Sequence, residues 1–224
     1  VICTEFQQSE LTRVGYYTYP LSTVLKNTTN SIFNTVDSIY ANIDEQEISD
    51  DEIDPPLSNL PACYFNLYDF FKDTSIEKFY VKDTSIRCKK FSVSPRKTLH
   101  FKLNLQIYNK FIYNYFNKIN EKIFKDNFFV INYIVKYYPW PKEFHNLQIP
   151  RMGFHYDTSI LSNLISSCEG LVLANNTIPN NDLGVILTGT GQSLFPHCFH
   201  GVNNNTISKT RYTIASFMLK GKPQ

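Results

Sequence analysis

"PHCFHGVNNNTISKTRYTIASFM" occupies residues 196–218. Its last part reads as a strand. Residues two apart on a strand point the same way, so Arg211, Thr213, Ala215 and Phe217 share one face. Arg211 is then the only charge on an otherwise apolar inward face. A buried guanidinium is costly unless paired, ideally by a carboxylate held in a bidentate fork. No acidic residue stands nearby in sequence. A small-molecule carboxylate is therefore a candidate partner, with the Thr213 hydroxyl as second donor. Two histidines, His197 and His200, precede this strand. Whether they are half of a metal site depends on a matching half upstream.

That half is "HYD", residues 155–157. On a strand, His155 and Asp157 would aim into one cavity. His200 comes far enough downstream for intervening strands to carry it back. Two imidazoles and one carboxylate on one face of a metal leave the opposite face open, which suits non-haem Fe(II). His197 is an alternative third ligand. Cys198 shares strand parity with His200 and reads as a buried thiol. The competing account is structural: a hydrogen-bonded His155–Asp157 pair, and Arg211 answered by a carboxylate distant in sequence.

Working outward, residues 128–219 are rich in β-branched and aromatic runs: "FFVINYIVKYY", "GFHYDTSILSNLI", "EGLVLAN", "LGVILTG" and "RYTIASFML". They are separated by Asn, Gly and Pro turns, a spacing that predicts a barrel or sandwich. Upstream, residues 99–126 place Leu105, Ile112, Phe116, Ile119 and Ile123 at spacings of three and four, which predicts a long amphipathic helix. "ACYFNLYDFF" is expected to form a short helix, and "VGYYTYPLSTVL" a strand and turn. Residues 43–56 are an acidic run closed by two prolines and read as a solvated surface insertion. "IRCKKFSVSPRK", residues 86–97, is locally basic, either a solvated loop or strand pair or an anion-binding patch. "GTGQS", residues 189–193, lacks the lysine and spacing of a phosphate-binding loop and reads as a β-turn.

The chain of 224 residues has a formal net charge of +2, which demands neither a nucleic-acid nor a membrane partner. Its five cysteines are scattered without a CxxC, which argues against a disulfide framework or a structural zinc site. A reducing, cytoplasmic setting follows as the expectation. No apolar run approaches the ~18 to 20 residues that span a bilayer. No nucleophile-elbow or Cys–His signature supports hydrolase chemistry.

The succession "KYYPWP" (136–141), "HYDTSILSNLI" (155–165), "GVILTGTG" (184–191), "FHGV" (199–202) and "RYTIASFML" (211–219) resembles the core of the Fe(II)- and 2-oxoglutarate-dependent dioxygenases, in their isopenicillin N synthase-like branch. The resemblance covers less than half of the chain. It departs from the family at Lys136, where Asn is common, and at Thr213, where Ser is common. The turn after His200 is longer and the stretch from Gly189 to His200 shorter than usual.

The resemblance implies a mainly β fold with N-terminal helices, the double-stranded β-helix or jelly roll. It implies one oxygenase domain over 1–224, with 1–127 as helical support and 128–224 as core. It implies iron on His155, Asp157 and His200, and 2-oxoglutarate held by Arg211, Thr213 and Tyr138. Dioxygen would be the oxidant and ascorbate an accessory. The implied reaction is oxidation, commonly hydroxylation, of a small organic substrate by a monomeric enzyme. Nucleic-acid demethylases of the AlkB type carry a second arginine six residues after the first, a place held here by Phe217. A protein hydroxylase, an iron oxidase that dispenses with 2-oxoglutarate and a jelly-roll binding module without iron are the other readings.

Overall fold

The computed structural model describes residues 8–40, 46–47, 62–66, 78–83, 89–92, 95–137, 150–173, 176–177, 182–203 and 208–221. Three helices precede or interrupt the early strands: α1 (Gln8–Val14), α2 (Thr23–Tyr40) and α3 (Pro95–Lys122). The strands are β1 (Tyr16–Pro20), β2 (Gln46–Glu47), β3 (Ala62–Asn66), β4 (Lys78–Asp83) and β5 (Lys89–Ser92), then β6 (Phe128–Tyr137). After them come β7 (Met152–His155), β8 (Leu161–Ser166), β9 (Leu171–Leu173), β10 (Asn176–Thr177), β11 (Leu183–Thr188), β12 (His200–Val202) and β13 (Arg211–Lys220).

Two antiparallel sheets result. The larger runs β1-β11-β8-β13-β6-β3-β4-β5-β2, and the smaller β10-β9-β12-β7. Together with the helices they form the mainly β jelly roll that the sequence predicts. The spine of the larger sheet is β13, paired along its whole length with β6, from Arg211↔Tyr137 to Lys220↔Phe128. Its other edge pairs with β8.

Alternation sorts the side chains of the larger sheet. Tyr212, Ile214 and Met218 of β13, with Ile165 and Ile186, face the helices and join Leu25, Ile32, Phe116 and Ile119 in the main core. Ala215 and Phe217 point the other way, towards Leu164, Val185 and Leu187 of the same sheet and Leu171 and Leu173 of the smaller one. That second cluster is the interior of the jelly roll. Arg211 and Thr213 share its parity.

The helices earn their place by amphipathicity rather than by propensity. On α2, Leu25, Thr28, Thr29, Ile32, Phe33 and Val36 are buried, a stripe at three and four spacing. Ser22 Oγ accepts the Leu25 N–H at 3.2 Å, capping its first turn. On α3 the expected Leu105, Ile112, Phe116 and Ile119 are buried, and Ile123 just beyond the helix packs against them. The Asn120 side chain holds both the N–H and the C=O of Asp126. Lys125 between them takes a left-handed φ of 54°, and the chain turns into β6.

"ACYFN" is a strand and not the expected helix: β3 pairs with β6 through Ala62↔Tyr137 to Asn66↔Tyr133. A short aromatic run has no decisive period of its own, and an open ladder edge on β6 settles it. Of the acidic run, Gln46 and Glu47 pair with Lys90 and Lys89; the rest lies outside the described residues. Of the basic run, Lys89–Ser92 is β5, paired with β4.

Candidate metal and cosubstrate site

His155 ends β7 and His200 begins β12, and the two stand directly opposite each other in the smaller sheet. Two residues later the register shifts, with Val202 opposite Met152. Gly153 and Phe154 thus oppose Gly201 alone. Such a bulge re-aims side chains. A Cβ on Gly201 would lie 3.1 Å from the Phe154 ring, so glycine lets that ring close over the outer face.

Asp157 lies just past β7, not on it. Its position comes from the 189–192 turn. Thr190 N–H donates to Asp157 O at 2.7 Å, and Gly191 N–H to Ser159 O at 2.9 Å. A Cβ at Gly189 would sit 2.2 Å from Ser159 O and 2.6 Å from Asp157 O. The "GTGQS" turn is therefore a brace for the carboxylate. Gln192 fixes it in turn, accepting from Leu194 and Phe195 N–H and donating to Gly189 and Phe195 carbonyls.

One ligand atom from each of His155, Asp157 and His200 lies within 4.8 Å of the others. His155 Nε2 is 3.5 Å from Asp157 Oδ1, and His200 Nε2 is 3.7 Å from Asp157 Oδ2. Both rings are fixed from behind. His155 Nδ1 meets Gly153 O at 2.8 Å and His200 Nδ1 meets Cys198 O at 3.2 Å. A carbonyl only accepts, so each Nδ1 carries a proton, and Nε2 is the atom that offers a lone pair to the centre when the ring is neutral. Ser162 Oγ donates to Asp157 Oδ2 at 2.5 Å, and Ser159 Oγ lies 2.8 Å behind it. Ligand set, tautomers and supporting shell fit a divalent transition metal, and two imidazoles with one carboxylate suit Fe(II).

The electrostatics agree. Burial holds the His200 imidazole below its ordinary range, so it is neutral. The hydrogen bond to Asp157 raises His155. Burial works against the Asp157 carboxylate, yet the His155 hydrogen bond, the His200 ring and Ser162 hold it below its usual range. His155 is 40% exposed against 8% for Asp157 and 5% for His200, so solvent reaches the cluster past His155. Burial, with Asp157 adding, pushes the Cys198 thiol up to about 12, and it packs among Leu173 and Leu187 as an inert core thiol. His197 is exposed and bonded to Gln192 O at 3.0 Å, outside the cluster.

At the other end of the same interior, Arg211 is 1% exposed. Its Nη1 donates to Thr213 Oγ1 at 2.5 Å, its Nη2 to Ser166 Oγ at 2.7 Å and its Nε to Glu169 O at 3.2 Å. No carboxylate pairs with it among the described residues. Burial lowers its pKa. A small cavity of about 10 Å³, lined by Leu164, Ser166, Cys168, Leu171, Leu183, Val185 and Arg211, lies beside it. Tyr138 lies outside the described residues. Its neighbour Tyr137 stands directly across from Arg211 and presents its ring to the guanidinium.

Four side chains escaped the sequence reading: Ser162 behind Asp157, Ser166 on Arg211, Tyr137, and the buried Arg151. Arg151 donates to Lys209 O at 3.1 Å and lies 5.4 Å from the Tyr137 ring. Burial, helped by Arg211, lowers its pKa to about 10. Strand parity could have nominated Ser162 and Ser166, which share a face with Leu164. Nothing local marks Arg151.

No protein-family model matches the chain, and neither does any curated protein sequence. Solved structures do match. A putative oxygenase from Shewanella oneidensis aligns over 95% of this chain and 84% of its own, with a TM-score of 0.65 at 13% identity. The Arabidopsis thaliana dioxygenase for auxin oxidation 1, solved as a complex with 2-oxoglutarate, aligns over 94% and 85%, with a TM-score of 0.58 at 14% identity. A Pseudomonas putida prolyl-4-hydroxylase aligns over 96% and 97%, with a TM-score of 0.56 at 10% identity. With a His–Asp–His cluster suited to iron inside the jelly roll, the chain has the fold of the Fe(II)- and 2-oxoglutarate-dependent oxygenase superfamily.

Proposed function

We propose that the protein is an Fe(II)- and 2-oxoglutarate-dependent dioxygenase that oxidises, most simply hydroxylates, a small organic substrate. The observation that carries this reading is the convergence of His155, Asp157 and His200 with both imidazoles held at Nδ1 so that Nε2 faces the centre. His155, Asp157 and His200 would hold the iron. Arg211, with the hydroxyl-bearing Thr213 beside it, would hold the distal carboxylate of the keto acid, and Tyr138 would hydrogen-bond the cosubstrate. The bound metal and keto acid supply oxidative decarboxylation to succinate and carbon dioxide, coupled to oxidation of a substrate C–H bond.

The chain's own residues orient and shield. Gly153 O and Cys198 O fix the two rings, and Ser162 fixes the carboxylate. Leu164, Leu171 and Val185 keep the Arg211 end of the interior apolar, which strengthens its charge on a bound anion. The exposed edge of His155 marks the side from which substrate would approach. Phe217, packed edge-on to Tyr133 at 5.7 Å, stands where demethylases of nucleic acid place a second arginine, which favours a small substrate. No helix among the described residues is long and apolar enough to cross a membrane. The N-terminal region would belong to the same domain as the core, since β1 and β3 enter its larger sheet.

A non-catalytic jelly-roll module is the second reading. In its favour, the three hydrogen bonds of Arg211 are met within the chain. Anaerobic loading with Fe(II), followed by titration of 2-oxoglutarate, separates the two. The dioxygenase reading expects the visible charge-transfer band of the chelate, lost in Asp157→Ala and weakened in Arg211→Ala. Iron-loaded wild type without a band argues against 2-oxoglutarate chelation, and failure to bind iron selects the module.

A further inference from the structure

Hydroxyl protons around Arg211 can be counted. A guanidinium only donates, so Thr213 Oγ1 and Ser166 Oγ both act as acceptors towards it. The two oxygens are 3.0 Å apart, so one hydroxyl proton spans them. Each hydroxyl has one proton, which leaves a single O–H unspent. The cavity decides whose it is: Ser166 lines it together with Arg211, whereas Thr213 is 5% exposed and stands off its wall.

We infer that Ser166, on β8, is the hydroxyl that meets the distal carboxylate of the cosubstrate, while Thr213 acts behind it by donating to Ser166. This rests on the 2-oxoglutarate reading above. The rest of the described wall is Leu164, Leu171, Leu183, Val185 and the weakly donating Cys168 thiol, so among the described residues an acceptor arriving there finds its strong donors on Ser166 and Arg211. An acceptor-only anion matches that pair. A row of hydrogen bonds from Arg211 through Thr213 to Ser166 polarises the last O–H towards the ligand. Ser166 is thus a binding residue, and Thr213 a positioning one.

The test is binding, not turnover. Iron-loaded, oxygen-free wild type, Ser166→Ala, Ser166→Thr and Thr213→Val are titrated with 2-oxoglutarate and with 2-oxobutyrate, which lacks the distal carboxylate. Ser166→Ala is expected to weaken 2-oxoglutarate by about tenfold or more, the size of a lost hydrogen bond to a charged group. Thr213→Val is expected to lose roughly threefold, a weaker effect because it acts through Ser166. Ser166→Thr should recover most of the affinity, and 2-oxobutyrate should bind all four proteins alike.

A larger loss in Thr213→Val than in Ser166→Ala overturns the assignment, as does an equal loss of both keto acids in Ser166→Ala. A wild-type band that Ser166→Ala leaves unchanged overturns this inference alone. Iron-loaded wild type that takes up neither keto acid overturns the cosubstrate reading and this inference with it.

Discussion

Tyr137 lies directly across the β6–β13 ladder from Arg211, with the guanidinium carbon 5.3 Å from its ring centre. The same ring receives Arg151 at 5.4 Å. Among the described residues its hydroxyl donates to Met152 Sδ, at 3.5 Å. Tyr137→Phe should therefore be nearly neutral, within ~0.5 kcal/mol. Tyr137→Leu removes the π face from two buried cations and should cost about 1–3 kcal/mol. Urea unfolding of the two variants checks this. Equal losses would mean that the hydroxyl, not the ring, holds the arginines.

Ser162 governs how Asp157 presents its oxygens. Ser162→Ala should leave the fold intact and weaken Fe(II) or Co(II) binding by roughly 10–100-fold, the usual effect of losing a partner behind a metal ligand. Ser162→Thr should keep most of the affinity. Cobalt titrations followed by visible absorption read both. Unchanged affinity in the alanine variant would show that Asp157 is held by the 189–192 turn alone.

The three residues of the cluster differ in their demand for protons. In the metal-free protein His155 should titrate above the ordinary histidine value of about 6.5 and His200 below it. Asp157 has already lost its proton there and His200 is already neutral, so His155 is the group that metal must deprotonate. Metal affinity should climb with pH until His155 has titrated, then level off. In Asp157→Asn the raised value of His155 should fall back. Histidine ring resonances followed by NMR across pH report each step. Two histidines titrating together at the ordinary value would contradict the packing.

Gly189 has no room for a side chain. In Gly189→Ala the new methyl would press on two backbone carbonyls, those of Asp157 and Ser159. Backbone cannot swing aside as a side-chain tip can. A loss of about 2–4 kcal/mol is expected on thermal unfolding, with metal affinity falling as Asp157 is displaced. Gly153→Ala, which meets nothing within 4 Å, is the control and should be close to neutral.

The residues of the His–Asp–His cluster, and Arg211, were legible because each sits in a short local phrase: "HYD", "FHGV" and "RYTIASFML". The strand parity of Arg211 with Thr213 held in the folded chain. Asp157 reached the cluster by another route than parity, since β7 stops at His155 and the 189–192 turn does the placing. Parity could have put Ser162 and Ser166 on the inner face but not named their partners: Ser162 meets Asp157 only once the 189–192 turn has placed it, and Ser166 and Arg151 act on segments distant in sequence. α2 was hidden too. "TVLKNTTNSIFNTVDSIY" is rich in Thr and Asn, poor helix formers, and its buried stripe stabilises a helix only once α3 and the sheet are there to cover it.

β1 forms the edge of the larger sheet, pairing Tyr16 with Leu187 and Pro20 with Leu183. Tyr19 also lies across Gly184, on which a Cβ would overlap its ring. A ribosome delivers the tyrosine-rich N-terminal strand long before its partner. Until β11 emerges, that strand is an unpaired aromatic edge of the kind that invites intermolecular pairing. Closure of the sheet is thus a late, long-range event, of the kind that slows folding. Chaperone dependence during synthesis, rather than marginal stability once folded, is what this topology leads one to expect of its expression.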